Sequence, residues 1–173
     1  MILMTERLTL RPFEAEDVEA LASYSTKDDF VRFMPLPPQT LESTAKFVGS
    51  VVAEGQPNSK NDWHFAIQLG EIAQPIGTIR MGIREPDHRQ GDAGFALHHE
   101  QRRKGYATEA LRRILAFGFE ELSLERIWAT ADIINIASWR VMEKAGMERE
   151  GIMRHHRLIR GEWRDFVLYA RIR

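Results

Sequence analysis

The stretch HEQRRKGYATEALRRILAFGFEEL, residues 99–122, decides how the chain is read. In its second half Ala107, Leu111, Ile114, Leu115, Gly118 and Leu122 recur at i, i+3/i+4 spacing, which predicts an amphipathic helix opening just after Gly105. In its first half Gln101, Arg102, Arg103 and Lys104 stand before that single glycine, and a strand signal ends near His98. A helix N-terminus presents unpaired N–H groups and about half a positive charge, so a strand, a basic turn and a helix in that order form a place for an anion. Gly105 lets the backbone turn or approach a ligand closely, and Ala107 keeps the next position small. A pyrophosphate is the natural guest.

Rival motifs fail on inspection. Neither G-x-x-x-x-G-K-[ST] nor G-x-G-x-x-G occurs, so a P-loop and a dinucleotide fold have no support. His99-Glu100 begins like a zinc-binding H-E-x-x-H helix, but Arg103 stands where the second histidine belongs. G-x-S-x-G is absent too.

Upstream of the stretch, WHFAIQLG (63–70), QPIGTIRMGI (74–83) and GDAGFALHH (91–99) read as strands of an antiparallel meander, with turns at 70–74 and 85–91. Before them TERLTLRPF (5–13) alternates Leu8 and Leu10 against Arg7, Thr9 and Arg11 until Pro12 stops it. EAEDVEALASYS (14–25) follows as a helix with acids in its first turn, and Thr40 caps a second helix that closes at Gly55. QPNSKND (56–62) is a polar loop. Downstream come a short strand, RIWATADII, then a helix from Asn135 as N-cap to Gly146 as C-cap, and two strands joined near Arg160-Gly161. The order β α α β β β α β α β β defines a mixed α/β chain with no repeat or linker.

Composition sets the bounds. With 173 residues, 43% of them hydrophobic, the chain fits one domain with a real core. Lys plus Arg (24) nearly balances Asp plus Glu (25), so there is no global pull toward nucleic acid or an anionic membrane. Without cysteine there are no disulfides, thiolate metal sites or Cys-bound intermediates. The opening MILMTERLTL is not a signal sequence and no run reaches membrane-span length, so the expectation is a soluble, cytoplasmic protein.

Arg102-x-x-Gly105-x-Ala107 resembles the [QR]-x-x-G-x-[GA] pyrophosphate loop of GNAT-type acetyltransferases, whose ligand is acetyl-coenzyme A. NIASWRVMEKAGM is similar to the N-x-x-[AS]-x-x-x-x-x-K-x-G-[FM] helix of that family, and residues 148–172 look like the closing hairpin of one branch. TERLTLRPF and GDAGFALHHEQRRKGYATEAL point to that same branch, the ribosomal-protein alanine N-acetyltransferases of RimJ/RimL type. The resemblance implies a single GNAT acyl-CoA N-acyltransferase domain over residues 1–173, with a mixed, mostly antiparallel central sheet flanked by helices. It implies that the strand before the loop splays from its neighbour, so that backbone at Phe95 and Leu97 pairs with the pantetheine arm. It places the diphosphate on the amides of Arg102, Arg103, Lys104, Gly105, Tyr106, Ala107 and Thr108, and sets Asn135 and Ser138 against the pantetheine end and the thioester. Many members carry a tyrosine general acid four residues beyond the Ser138 position; Met142 stands there, and the resemblance assigns the role to Ser138.

The implied reaction is direct attack of an amine on the acetyl thioester, with no metal. No carboxylate base stands on PIGTIRMGI, where related enzymes often have one, and the nearest acids, Asp92 and Glu100, read as turn or surface residues. That gap favours an amine of low pKa or deprotonation through water. The acceptor stays open among a protein N-terminus, an amino acid, a polyamine and an antibiotic, and a homodimer is left open. A catalytically silent CoA-binding or sensing module is the alternative; a nucleic-acid binder built on the basic loop is disfavoured by the charge balance. His98-His99 and His155-His156, read as strand neighbours, would point to opposite faces and clamp no metal. Trp63, Trp128, Trp139 and Trp163 read as core or cleft wall. Residues 28–40 and the closing hairpin are expected to shape the acceptor cleft.

Overall fold

The computed structural model describes residues 1–57, 61–70, 72 and 74–173. The middle of the polar loop at 56–62 and two positions of the turn at 70–74 therefore lie outside the described residues. The strands are β1 (Leu3–Met4), β2 (Leu8–Arg11), β3 (Asp62–Leu69), β4 (Pro75–Glu85), β5 (Gln90–Leu97), β6 (Arg126–Asp132), β7 (Glu148–Ile159) and β8 (Glu162–Ile172). The helices are α1 (Asp17–Ser25), α2 (Asp28–Val31), α3 (Leu41–Glu54), α4 (Tyr106–Glu120) and α5 (Ile136–Lys144). The strands form one sheet ordered β1-β2-β3-β4-β5-β6-β8-β7, in which β5–β6 is parallel and every other pair is antiparallel.

The expected elements appear in the expected order, with two additions: β1 is too short to show a period, and α2 lies in the segment assigned to the acceptor cleft. Local chemistry explains the boundaries. Thr40 and Ser43 exchange side-chain and backbone hydrogen bonds in a full capping box, and the Asn135 side chain accepts from the Ser138 amide at 3.4 Å. At the end of α5, Gly146 has a φ of 86° and its N–H donates to the Glu143 carbonyl, which stops the helix. Arg160 and Gly161, both at positive φ, make the tight turn between β7 and β8.

Two apolar layers sandwich the sheet. On one face Leu111, Ile114, Leu115 and Phe117 of α4 pack on Phe65, Ile79, Met81 and Ile127. On the other face Leu21 and Tyr24 of α1 and Val48 and Val51 of α3 cover Phe13 and Ala66. Arg11, on the polar side of the β2 alternation, is nevertheless buried, because its guanidinium makes two hydrogen bonds to Asp17 at 2.8 and 2.7 Å and so ties the strand to the first turn of α1.

The histidine and tryptophan expectations need correction. His98 and His99 lie beyond β5, at the entry to a 3₁₀ turn (His99–Gln101), and their rings stack 4.4 Å apart instead of alternating. His155 has a φ of 48° within a break of the β7–β8 register, so strand alternation fails there as well. Trp63 is core, whereas Trp163 is 58% exposed and stacks on His155.

Candidate active site

β5 and β6 pair over only three residues: Gln90 with Arg126, Gly91 with Ile127 and Asp92 with Trp128. Beyond that point β5 stays with β4 as far as Leu97, and β6 stays with β8 through Asp132. The two strands part, and residues 93–97 have no ladder partner on their β6 side. Phe95 and Leu97 keep their side chains in the core beneath α4, so what they offer the gap is backbone.

The turn after β5 is built to leave amides free. The Arg102 N–H closes the 3₁₀ turn by donating to the His99 carbonyl at 3.3 Å. Arg103 then has a φ of 64° and Gly105 a φ of 86°, and the first intrahelical bond of α4 is from Glu109 N–H to the Gly105 carbonyl. Among the described residues, no hydrogen bond is made by the amides of residues 103–108. Six consecutive donors at a helix start form a nest for an anion, and the run begins at Arg103 because the Arg102 amide is spent. The cationic side chains nearby are partly engaged: Arg102 pairs with Asp29 of α2 at 2.6 Å, and Lys104 donates to Gln101 at 3.0 Å. An open groove of about 640 Å³ runs alongside, bordered by Arg7, Gly105, Thr108, Arg112 and Lys144.

Asn135 and Ser138 stand at the first turn of α5, where β6 ends. Ser138 sits at the third helical position, and among the described residues its Oγ makes no hydrogen bond, not even to the Asn135 carbonyl one turn back. Met142, one turn further on, is 2% exposed and belongs to the core under the sheet.

Two acids beside the strand opening, Asp62 and Asp92, are held by arginines, which the sequence did not announce. Asp92 is not a turn residue. It lies in β5 and accepts from Arg80 at 2.5 and 2.9 Å and from Arg84 at 2.6 Å. Asp62, opposite on β3, is bound by Arg80 at 3.1 Å and by Arg84. Burial alone would push the Asp62 carboxyl up, but the hydrogen bond from Arg84 and the charges of Arg84 and Arg80 outweigh it and hold it below the usual carboxylate range. Asp132, buried at the end of β6, accepts from the Ile134 amide on Oδ1 at 3.1 Å, while its Oδ2, 3.9 Å from the Arg164 guanidinium, makes no hydrogen bond among the described residues. Strand pairing brings Asp62, Arg80, Arg84 and Asp92 together across 30 residues of sequence, so no local pattern could have announced the cluster. Among the described residues no cluster of His, Cys, Asp or Glu could hold a metal ion, and no helix is long and apolar enough to cross a membrane.

A splayed parallel pair followed by a free-amide turn and a helix defines the class: the chain matches the acetyltransferase (GNAT) domain over residues 7–148 and belongs to that family. Its relatives include the uncharacterized N-acetyltransferase YnaD of Bacillus subtilis, 33% identical over 98% of this chain and 96% of that protein. A solved GNAT-family acetyltransferase from Bacillus anthracis is 32% identical, covers 99% of this chain and 98% of its own, and superposes with a TM-score of 0.88. The fold is shared with RimL, a ribosomal L7/L12 α-N-protein acetyltransferase solved with coenzyme A, at a TM-score of 0.84 and 20% identity, over 99% of this chain and 98% of that one. The chain is an acetyl-CoA-dependent N-acetyltransferase.

Proposed function

We propose that this enzyme acetylates an amine of low basicity, foremost a protein N-terminal α-amine, with the diphosphate of acetyl-CoA on the amides of residues 103–108 and the pantetheine arm along residues 93–97. The observation that carries the acceptor is the locking of Asp62 and Asp92 by Arg80 and Arg84. A carboxylate already bound by guanidinium is a weak base, so neither of these acids suits a strongly basic amine. An α-amine with a pKa of about 7.7–8.0 costs only about 1 kcal/mol to deprotonate at pH 7, whereas a lysine ε-amine near 10.4 costs about 4.6 kcal/mol. The first needs only water; the second needs a placed base.

The neutral nitrogen forms the new C–N bond at the acetyl carbonyl carbon and loses its proton to solvent. The C–S bond breaks, and Ser138 Oγ gives its proton to the departing thiolate and recovers one from water. Asn135 holds the first turn of α5 through its Oδ1, which leaves its amide N–H₂ to orient the pantetheine end. One observation favours a second reading. Met142 supplies no proton at the position where many relatives have tyrosine, which suits a module that binds CoA without turnover.

The test is thiol release from acetyl-CoA with a panel of peptides bearing free N-termini, lysine-containing peptides with blocked N-termini, polyamines and aminoglycosides, beside a calorimetric CoA titration. Turnover with free N-termini and none with blocked ones is expected. Turnover confined to lysine or polyamine acceptors would overturn the acceptor, and tight CoA binding with no turnover on any acceptor would favour the second reading.

A further inference from the structure

The opening TER motif and the loop before α4 are a single hydrogen-bonded unit, although some 100 residues separate them. Glu109, in the first turn of α4, accepts from Thr5 Oγ1 at 2.6 Å and from the Arg7 N–H at 2.9 Å on one oxygen. Its other oxygen accepts from Arg7 Nε at 2.7 Å and lies 2.6 Å from Arg7 Nη2. Burial would push the Glu109 carboxyl up, but these donors and the Arg7 charge hold it below the usual range. Arg7 then spends its remaining edge on the loop: Nη1 donates to the Lys104 carbonyl at 3.1 Å, and the guanidinium lies 4.7 Å over the Tyr106 ring. Arg7 thus grips the residues before and after Gly105.

The Lys104 carbonyl and the Gly105 N–H belong to one planar trans peptide, so they point in opposite directions. Fixing the oxygen aims the hydrogen. We propose that Arg7 is a positioning residue for acetyl-CoA: anchored by Glu109, it holds the Lys104–Gly105 peptide so that the Gly105 amide faces the diphosphate. The inference rests on the reading of residues 103–108 as the diphosphate cradle. It needs a fork and not merely a positive charge, because a guanidinium can bind a carboxylate and a carbonyl on separate edges while an ammonium is a point charge. A plain surface ion pair in this place would contribute little to folding and nothing to the cofactor.

Calorimetric titration with CoA and with 3′-dephospho-CoA separates the cases, since dephospho-CoA keeps the diphosphate but lacks the 3′-phosphate that Arg7, at the rim of the groove, could touch directly. Stoichiometry reports the folded fraction, so the dissociation constants stand apart from stability. Arg7→Ala is expected to weaken both ligands by the same factor, about tenfold. Glu109→Gln should weaken both in parallel, and Arg7→Lys should stay close to Arg7→Ala. Loss confined to CoA would make Arg7 a direct phosphate ligand and overturn the proposal. Unchanged constants, or full recovery in Arg7→Lys, would overturn it as well. Gly105→Val tests the cradle itself: if that variant binds CoA normally, the reading of the loop fails whatever Arg7 does.

Discussion

Asp92 and Trp128 are the last residues that β5 and β6 pair across, and the sheet opens immediately beyond them. Each strand is held by its other neighbour, β5 by β4 and β6 by β8, so the sheet twist carries them apart without loosening either. Backbone groups left unpaired inside a protein are costly unless something meets them, which makes the gap a template for a ligand with amide groups of its own.

Hydrogen exchange should reveal that template. The amides of residues 103–108 have no acceptor in the free protein and are expected to exchange quickly, then slow on addition of CoA together with those of residues 93–97. Mass-spectrometric exchange of peptides covering both segments, with and without CoA, checks this. Protection elsewhere in the chain and none here would place the cofactor wrongly.

Gly77 keeps β4 close to the strand that borders the gap. A Cβ there would collide with the backbone carbonyl of Ala96 and with Leu97, which cannot give way without moving β5. Gly77→Ala should therefore cost about 1–3 kcal/mol in urea unfolding and also weaken CoA binding. Gly151→Ala, with nothing within 4 Å of the added carbon, should stay within about 0.5 kcal/mol of the parent. Equal stability of the two variants would show that the contact at Ala96 is not limiting.

Features of the fold that depend on neighbours in sequence were legible, and those that depend on strand register were not. Thr40, Asn135, Gly146 and Arg160-Gly161 act within three or four residues of themselves, so caps and turns could be read directly. The turn before α4 and the helix start that follows it were legible because a basic run, a glycine and a helical period are neighbours in sequence. The Asp62–Arg80–Asp92–Arg84 cluster was hidden, since period-two alternation says which face a side chain takes but not which residue of another strand it meets, and the Arg7–Glu109 clasp was hidden because it joins the turn before β2 to a helix about 100 residues on. His155 escaped because a single residue at positive φ cancels the alternation on which its orientation was argued.

The roles of Asn135 and Ser138 can be pulled apart. Asn135→Ala removes the side-chain acceptor that the Ser138 amide shares with the Asn135 carbonyl and should cost about 0.5–1 kcal/mol of stability, the low end for a cap, whereas Asn135→Asp retains it. If the Asn135 amide also orients the pantetheine end, both variants bind acetyl-CoA less well although only the alanine melts earlier. Ser138→Ala leaves the cap intact and should lower kcat more than it raises the acetyl-CoA dissociation constant. An unchanged kcat at saturating acetyl-CoA removes Ser138 from the proton transfer.

Asp62 should make the region beside the cleft sensitive to acid. Its carboxyl is held below the usual range by Arg84 and Arg80 once the opposing effect of burial is overcome, so the folded state binds its proton less readily than the unfolded chain does. The stabilisation is then fully present above the unfolded carboxyl pKa of about 3.9 and fades as pH falls through the lower folded value. Asp62→Asn removes the charge at every pH. It should lower stability at pH 7 by roughly 2 kcal/mol, less than for a fully buried pair because both arginines reach solvent. The difference from the parent should shrink steadily as pH falls below about 3.9 and through the lower folded value, where the parent carboxyl itself becomes protonated. Urea unfolding of both proteins across that window decides the matter: a difference that stays constant with pH would mean that Asp62 contributes through shape and hydrogen bonding, and that its charge is already balanced by its surroundings.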